Sequence, residues 1–314
     1  MAKQTIKWVV AHEPLELFLR VLDRFQEEVS KRTDDIEIEC LTLETYAEKY
    51  NDGKEISYFD LLELMNNGVI EMAQTNTSVL GGHHNRDLWA IEMPFIFRDH
   101  DHATRVFEGE IGKKMLNDIG KESNIKGLAF TYSGGFRMLP ANKEVNSIED
   151  LEGMTVRTTR CAVAEETFRA VGAIPVPMSL SEITKAVKIN KIEAGESTYP
   201  RYYALKQNEA LSVINDTKHS LFTTNILISK EFWNSMDKET QDIVQDAAMV
   251  AAADERQESI DDIQRVTDQC VIDDVKIVDL NDVETIKFKE ATAYLYDKFE
   301  DMFSADLLNK IKNA

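Results

Sequence analysis

Cysteine is scarce. Cys40, Cys161 and Cys270 are all there are in 314 residues. They form no C-x-x-C pair and no metal-ligand spacing, which leaves no disulfide framework and no zinc module. They read as three buried or partly buried thiols. Long apolar runs are also missing. None approaches the 18 residues that a bilayer-crossing helix needs, so no direct membrane insertion is expected. Positive charge is in short supply, with 36 Lys and Arg against 56 Asp and Glu and a net charge of −20. Such a surface repels nucleic acid and anionic headgroups, which excludes both as expected partners. It repels an anionic ligand at long range too, so an anion site needs arginines of its own. Catalytic signatures are absent: no GxSxG, no GxGxxG behind a strand, no P-loop, no HExxH. His83-His84 and His100-x-His102 are the only histidine clusters. Neither has a nearby Cys or a second His at i+4, so solvated or capping roles are expected rather than a metal site. No metal and no cofactor is expected.

What is present is an alternation of strand and helix patterns. The stretch from Leu151 to Pro200 shows it most clearly. Thr155-Val156 leads a short strand into Arg157. Ala164, Phe168 and Val171 then mark one helix face, and Gly172 sits where a C′ residue belongs. Ser179 and Glu182 have capping-box spacing before a second helix with Ile183, Ala186 and Val187 inward. Lys191 to Ala194 is a strand running into Gly195-Glu196. Polar groups at strand ends are where open α/β sheets place ligands.

Elsewhere, strands are predicted at 6–10, 36–40, 69–73, 127–132, 211–214, 226–229 and 275–278. Helices are predicted from Pro14 to Val29, 58–66, His102 to Ile119 and Asn281 to Phe303. Residues 44–57 give no clear pattern. Asp237 opens a helix that neither Pro nor Gly interrupts through Gln269. At 1.5 Å per residue it is about 45 Å long, more than one small domain is wide. Repeats and low-complexity linkers are absent. The fold class is α/β, with two lobes sharing the chain discontinuously: 1–131 with 217–255, and 132–216 with about 256–314.

At several of these places the chain resembles a known family. GMTVR, VGAIPVPMSLSEITKAV and the EAGE turn are similar to the signature of the DctP-like solute-binding proteins of TRAP (tripartite ATP-independent periplasmic) transporters. EMPFIFRDHDHATRVFEGEIGKKML resembles that family's LPFLFRD block. GLAFTYSGGFRMLPANKEVNSIEDLEG resembles its GFR segment, and LISKEFWNSMDKETQDIVQDAA its entry into a long helix. The register is continuous from about Gly68 to Ala253. The resemblance implies the two-lobed periplasmic binding protein fold, a ligand cleft between the lobes and a long helix spanning both. It implies a periplasmic location, so residues 1–3 are expected to stand behind a removed leader. It also implies small and large TRAP membrane subunits as partners.

On residues alone, Arg157 is the first choice for ligand recognition, because a guanidinium forks onto a carboxylate and stays charged. It can equally be a surface ion-pair member among so many acids. The family's carboxylate-binding arginine falls at this place in its GxxxR motif. Arg137 follows Gly134-Gly135, which permit close backbone approach. The resemblance makes it a second ligand contact, against the alternative of a hinge-loop tie between lobes. Arg160 can meet another acidic group or pair with Glu165 or Glu166. Glu196 matches the acid of the family's GQENP turn. Ser197 stands where that family often has Asn, which removes an amide. Tyr199 and Tyr202 offer an aromatic wall or simply cover a lobe. His12, Glu13, Thr75, Asn76, Thr77, Trp89, Tyr132, Phe222 and Asn225 are further strand-end candidates, some of them equally suited to core or caps.

The function expected is capture of a small organic acid and its delivery to membrane subunits, without turnover. A zwitterionic or amino-acid-like ligand, its cation met by Glu13 or Glu196, is the alternative within that class. A sensor or accessory binding protein is another reading. An enzyme is the least supported, since no nucleophile or acid–base pair can be nominated.

Overall fold

The computed structural model describes residues 3–304 and 306–314. Met1 and Ala2, part of the start expected behind a leader, lie outside these. Among the described residues, eleven strands alternate with helices. They are β1 Gln4–Val10, β2 Ile36–Thr42, β3 Met72–Asn76, β4 Ile125–Phe136, β5 Leu139–Ala141, β6 Thr155–Thr158, β7 Ile174–Pro177, β8 Ala194–Gly195, β9 Val213–Asp216, β10 Leu221–Ser229 and β11 Lys276–Asp279. They form a five-stranded sheet of order β2-β1-β3-β10-β4 and a six-stranded sheet of order β11-β9-β5-β8-β6-β7. Both are mixed. In the first, β1 runs parallel to β2 and β3 while β10 returns antiparallel to β3.

The chain divides into two compact units. The first takes residues up to Thr77, Phe107–Ser133 and Thr223–Gln257. The second takes Ser78–Val106, Gly134–Phe222 and everything from Glu258. The sequence reading had kept all of 1–131 in one lobe. Residues 78–106 belong instead with the C-terminal helices. Asp87 accepts from the Ser304 amide at 2.7 Å, Tyr296 donates to the Pro94 carbonyl at 2.8 Å, and Phe95 meets Phe288 edge-on at 5.2 Å.

In the first unit, the apolar stripe of helix Leu15–Ser30 does what its spacing predicts. Phe18, Val21, Leu22, Phe25 and Val29 are buried against Ile6, Trp8 and Val10 of β1 and against Ala247, Ala248 and Ala251. In the second unit, Val156 and Ala194 pack with Leu139, Leu151, Phe168 and Phe288. The helix opened by Asp237, whose Oδ1 accepts from the Thr240 amide at 2.8 Å, runs from Lys238 to Ile272. Its residues through Gln257 belong to the first unit and those from Glu258 to the second.

Several expectations need correction. The helix placed at 102–119 is two, His100–Glu108 and Glu110–Ile119, because extended Gly109 caps the second. The final helix expected at Asn281 to Phe303 breaks into Asp282–Thr292, Tyr294–Lys298 and a 3-10 turn at Glu300–Met302, and a further helix, Leu307–Lys312, follows it. The unread 44–57 stretch holds helix Leu43–Tyr50, started by a Thr42/Thr45 capping box. β7 was missed because it contains Pro175 and Pro177, which an edge strand tolerates. Cys40 is exposed, on edge strand β2. His102 is buried, its Nδ1 accepting from the Arg98 amide and its Nε2 facing the Ile311 carbonyl at 2.7 Å.

Candidate functional site

β6 lies between β7 and β8 and is parallel to both, with Arg157 opposite Val176 and Gly195. Gly195 is needed there. A Cβ would stand 2.9 Å from Ile183 Cδ1 and 3.4 Å from the Arg157 Cβ. The Arg157 side chain is only 3% exposed. Its Nε donates to the Met178 carbonyl at 2.8 Å and its Nη1 to the Glu196 carbonyl at 3.1 Å. Both bonds are to neutral acceptors. Among the described residues no carboxylate lies within ion-pair distance of it. Burial lowers its pKa to about 10, with the Glu196 charge opposing. It is therefore a charged, buried guanidinium with no carboxylate in direct contact among the described residues and only the more distant charge of Glu196 to offset it, and such a charge is costly unless something pairs with it.

A network stands beside it. Arg137 stands directly after β4, within which a glycine is obligatory. Gly134 has φ +94°, and a Cβ there would stand 2.2 Å from Thr198 Oγ1. Arg137 Nη2 donates to Glu92 Oε2 at 3.0 Å, and its Nη1 is 3.7 Å from Glu196 Oε1. Its guanidinium lies 4.2 Å from the Phe222 ring centroid, and that of Arg201 lies 4.5 Å from the same ring. Glu196 also accepts from the Thr159 amide and faces His219 Nε2 at 3.5 Å. Burial alone would raise the Glu196 pKa, but Arg137, the His219 hydrogen bond and Arg157 hold it at about 2. Glu92 goes the other way. Burial lifts it to about 6, with Arg137 opposing and Glu196 assisting. The two carboxyls share one arginine and differ in how many further donors they have.

The structure brings Arg157, Arg137, Glu196 and Ser197 together in the second unit. Ser197 is tied by its backbone to Met138 in both directions at 2.9 Å, and its Oγ is buried with no partner among the described residues. Other candidates there have different roles. Tyr199 and Tyr202 are core rather than an aromatic wall, and the Tyr202 hydroxyl donates to the Leu211 carbonyl. Phe222 is buried beside two guanidiniums. Trp89 donates from Nε1 to the Ser78 carbonyl at 2.7 Å. Arg160 is exposed and pairs with neither Glu165 nor Glu166, both of which Arg169 takes.

Seven candidates lie in the first unit. The His12 ring lies tilted against Tyr58 at 4.1 Å and Phe18 at 5.1 Å, and Glu13 is exposed. Thr77 Oγ1 donates to Asn225 Oδ1 at 2.8 Å. Asn76 is half-buried at the end of β3, next to buried Thr75. Tyr132 is buried, its ring edge-on to Phe107 at 6.3 Å.

Sequence reasoning missed Glu92, Arg201 and His219. Arg201 follows the Thr198-Tyr199-Pro200 turn, which signals a helix start with Pro in the first turn. His219 lies in a stretch read only as a crossing. Glu92 had no signal beyond preceding Met93-Pro94.

Residues 21–302 match the family described as bacterial extracellular solute-binding protein, family 7. The C4-dicarboxylate-binding periplasmic protein DctP of Rhodobacter capsulatus is 26% identical over 215 residues, which is 68% of this chain and 61% of that protein. A TRAP periplasmic solute-binding protein from Pseudomonas putida F1, solved with bound D-glucuronate, superimposes with a TM-score of 0.86 at 23% identity over 99% of this chain and 97% of that one. One from Shewanella oneidensis, solved with bound succinate, gives 0.84 at 21% identity over 99% of each.

Proposed function

The chain belongs to the bacterial extracellular solute-binding proteins of family 7, and from that premise we propose that it binds a small organic acid through Arg157. The observation that carries this is the buried Arg157 guanidinium, hydrogen-bonded only to carbonyls and without a carboxylate partner among the described residues. A ligand carboxylate supplies the missing counter-ion by a charge-assisted fork. Arg137 is the second donor in this reading, held ready by Glu92 and Glu196. Glu196 is already engaged by Arg137, His219 and the Thr159 amide, which counts against its meeting a ligand cation. The ligands of the Rhodobacter, Pseudomonas and Shewanella proteins, C4-dicarboxylates, glucuronate and succinate, are all carboxylates and support the same chemistry.

The protein works in the periplasm, hands its ligand to the small and large membrane subunits of a TRAP transporter, and does no chemistry on it. No helix among the described residues is long and apolar enough to cross a membrane. Calorimetric titration with a panel of organic acids tests the binding. Arg157→Ala should weaken binding of the best acid by roughly 30-fold or more, as loss of one side of a charge-assisted pair typically costs on the order of 2–5 kcal/mol. Binding within about threefold of wild type, roughly 0.65 kcal/mol, means the assignment is wrong. A melt of the variant far below wild type without ligand means Arg157 is a structural cation. Mass spectrometry after long incubation should return the acid unchanged.

A further inference from the structure

Glu92 is the less satisfied of the two carboxyls buried in the second unit's cluster. Its Oε2 accepts from Arg137 Nη2 at 3.0 Å, and its Oε1 is buried with no partner among the described residues. Glu196 accepts from the Thr159 amide and has His219 Nε2 at 3.5 Å and Arg137 Nη1 at 3.7 Å. Arg137 has capacity left over. It is buried, and its Nε and Nη1 make no hydrogen bond among the described residues. Native interiors leave few such atoms, and here the unmet oxygen and the unused donors belong to one ion pair. Among the described residues, the ionisable groups that act on Glu92 from other elements are three. They are Arg137 after β4, Glu196 after β8 and the Cys161 thiol ahead of helix Ala162–Arg169. Burial and the Glu92 charge both push that thiol's pKa up, so it stays neutral and offers no counter-charge.

Counting charges tells what a ligand does to this pair. Arg137 and Arg157 are positive, and Glu92 and Glu196 are negative, so the four side chains balance. A ligand carboxylate gives Arg157 the direct partner it lacks and takes the spare donors of Arg137. It also leaves one negative charge in excess, in a buried place where such a charge is costly. Like charges around a shared arginine favour protonation of one carboxyl. Glu196 is the wrong one, because Arg137, His219 and Arg157 hold it ionised. Glu92 has a single bond and a bare oxygen to receive the proton. Burial has already raised its pKa to about 6. We propose that Glu92 is a proton-linked positioning residue: ionised, it holds Arg137, and when a ligand carboxylate joins Arg137 it takes up a proton from solvent at Oε1 while Oε2 remains the acceptor. Binding of an organic acid is thereby coupled to proton uptake. This rests on the reading of Arg157 and Arg137 as the carboxylate's donors.

Glu92 holds more proton in the bound state than in the free one, so affinity falls as pH rises above about 6. Calorimetry on the full chain with D-glucuronate, pyruvate and succinate, in PIPES and in imidazole at pH 7, counts the protons. The acid that binds best should bring roughly 0.4–0.9 of a proton. It should also bind about fivefold or more weakly at pH 8 than at pH 6. Glu92→Gln keeps an acceptor for Arg137 but cannot ionise, and with the same acid it cancels the acid's own titration. Its uptake should be close to zero, and at pH 8 it should bind at least as tightly as wild type. A side chain that only props Arg137 would weaken binding at every pH. His219 is the other proton acceptor of the cluster, and His219→Gln should leave the uptake in place. Acids that bind without uptake, or with uptake unchanged in Glu92→Gln or lost in His219→Gln, overturn the role of Glu92 and leave the organic-acid reading standing. If Glu92→Gln melts early, the wild-type and His219→Gln counts decide in its place. If no acid of the panel binds, the organic-acid reading falls, and the proton linkage with it.

Discussion

A single arginine can be kept charged inside the second unit because its Nε and Nη1 donate to carbonyl oxygens, and this sets what it tolerates. Arg157→Lys keeps the charge but loses the planar fork and the Nε bond to Met178. Titration should show it closer to Arg157→Ala than to wild type, with an unliganded melt close to wild type. The neighbouring carboxyls give opposite pH signatures. Glu92 has its pKa raised to about 6 in the fold. Between its unfolded value and 6 the folded state holds the extra proton, so its contribution to stability falls as pH rises through that window. Glu196 is depressed to about 2. Its contribution is present above the unfolded value and is lost as pH falls through 2. Together they favour a stability maximum near pH 5. Glu92→Gln should flatten the alkaline side: urea unfolding at pH 5 and 7 should show a wild-type loss on the order of 1–2 kcal/mol that the variant lacks. An equal loss in both would assign the slope to other groups.

The elements that could be read from sequence were those whose period is set by burial. Helix Leu15–Ser30, the uninterrupted helix after Asp237, and the strand bearing Arg157 all follow from apolar spacing or its lack of breaks. β7 was hidden by its prolines, and the break at Gly109 by an apolar pattern that continues across it. The arginines of the site could be found because glycines and a strand end flag them. Glu92 could not, because 56 acids offer no local sign of which one a distant arginine selects, and neither could His219, which faces Glu196 rather than an arginine. The same holds for how the first sheet is closed. β4 is its edge, and the long helix covers that edge with side chains: Gln245 donates to the Leu128 carbonyl at 2.9 Å and Arg256 to the Phe130 carbonyl at 2.7 Å. The two positions differ by eleven (256 minus 245), about three helical turns, so they share one face. Arg256 also pairs with Glu108. Arg256→Leu leaves the Phe130 carbonyl buried and unmet. Urea unfolding should show a loss of about 1–3 kcal/mol, and hydrogen exchange along β4 should quicken. A loss below 0.5 kcal/mol, the usual surface range, would mean that water replaces the guanidinium.

At the scale of the whole molecule, charge works against the ligand that the site is built to hold. The net charge is −20, and the proposed ligand is an anion. A buried arginine is felt within a few ångströms, whereas the net field extends over a Debye length, about 30 Å at 0.01 M salt and about 8 Å at 0.15 M. Approach is therefore hindered at low salt, and capture becomes local only once the long-range field is screened. The association rate of the anionic ligand should rise with ionic strength, by about two- to fivefold between 0.01 and 0.15 M. Most charged ligand pairs of opposite sign show the reverse. The dissociation rate should change less, because the Arg157 contact is buried and poorly screened. Stopped-flow fluorescence of Trp8, Trp89 and Trp233 can follow both rates. A rate that falls with salt would mean that the arginines of the second unit dominate the field well beyond the site. In that case Arg157→Ala should cancel the salt dependence, and if it does not, the steering charges lie elsewhere on the surface.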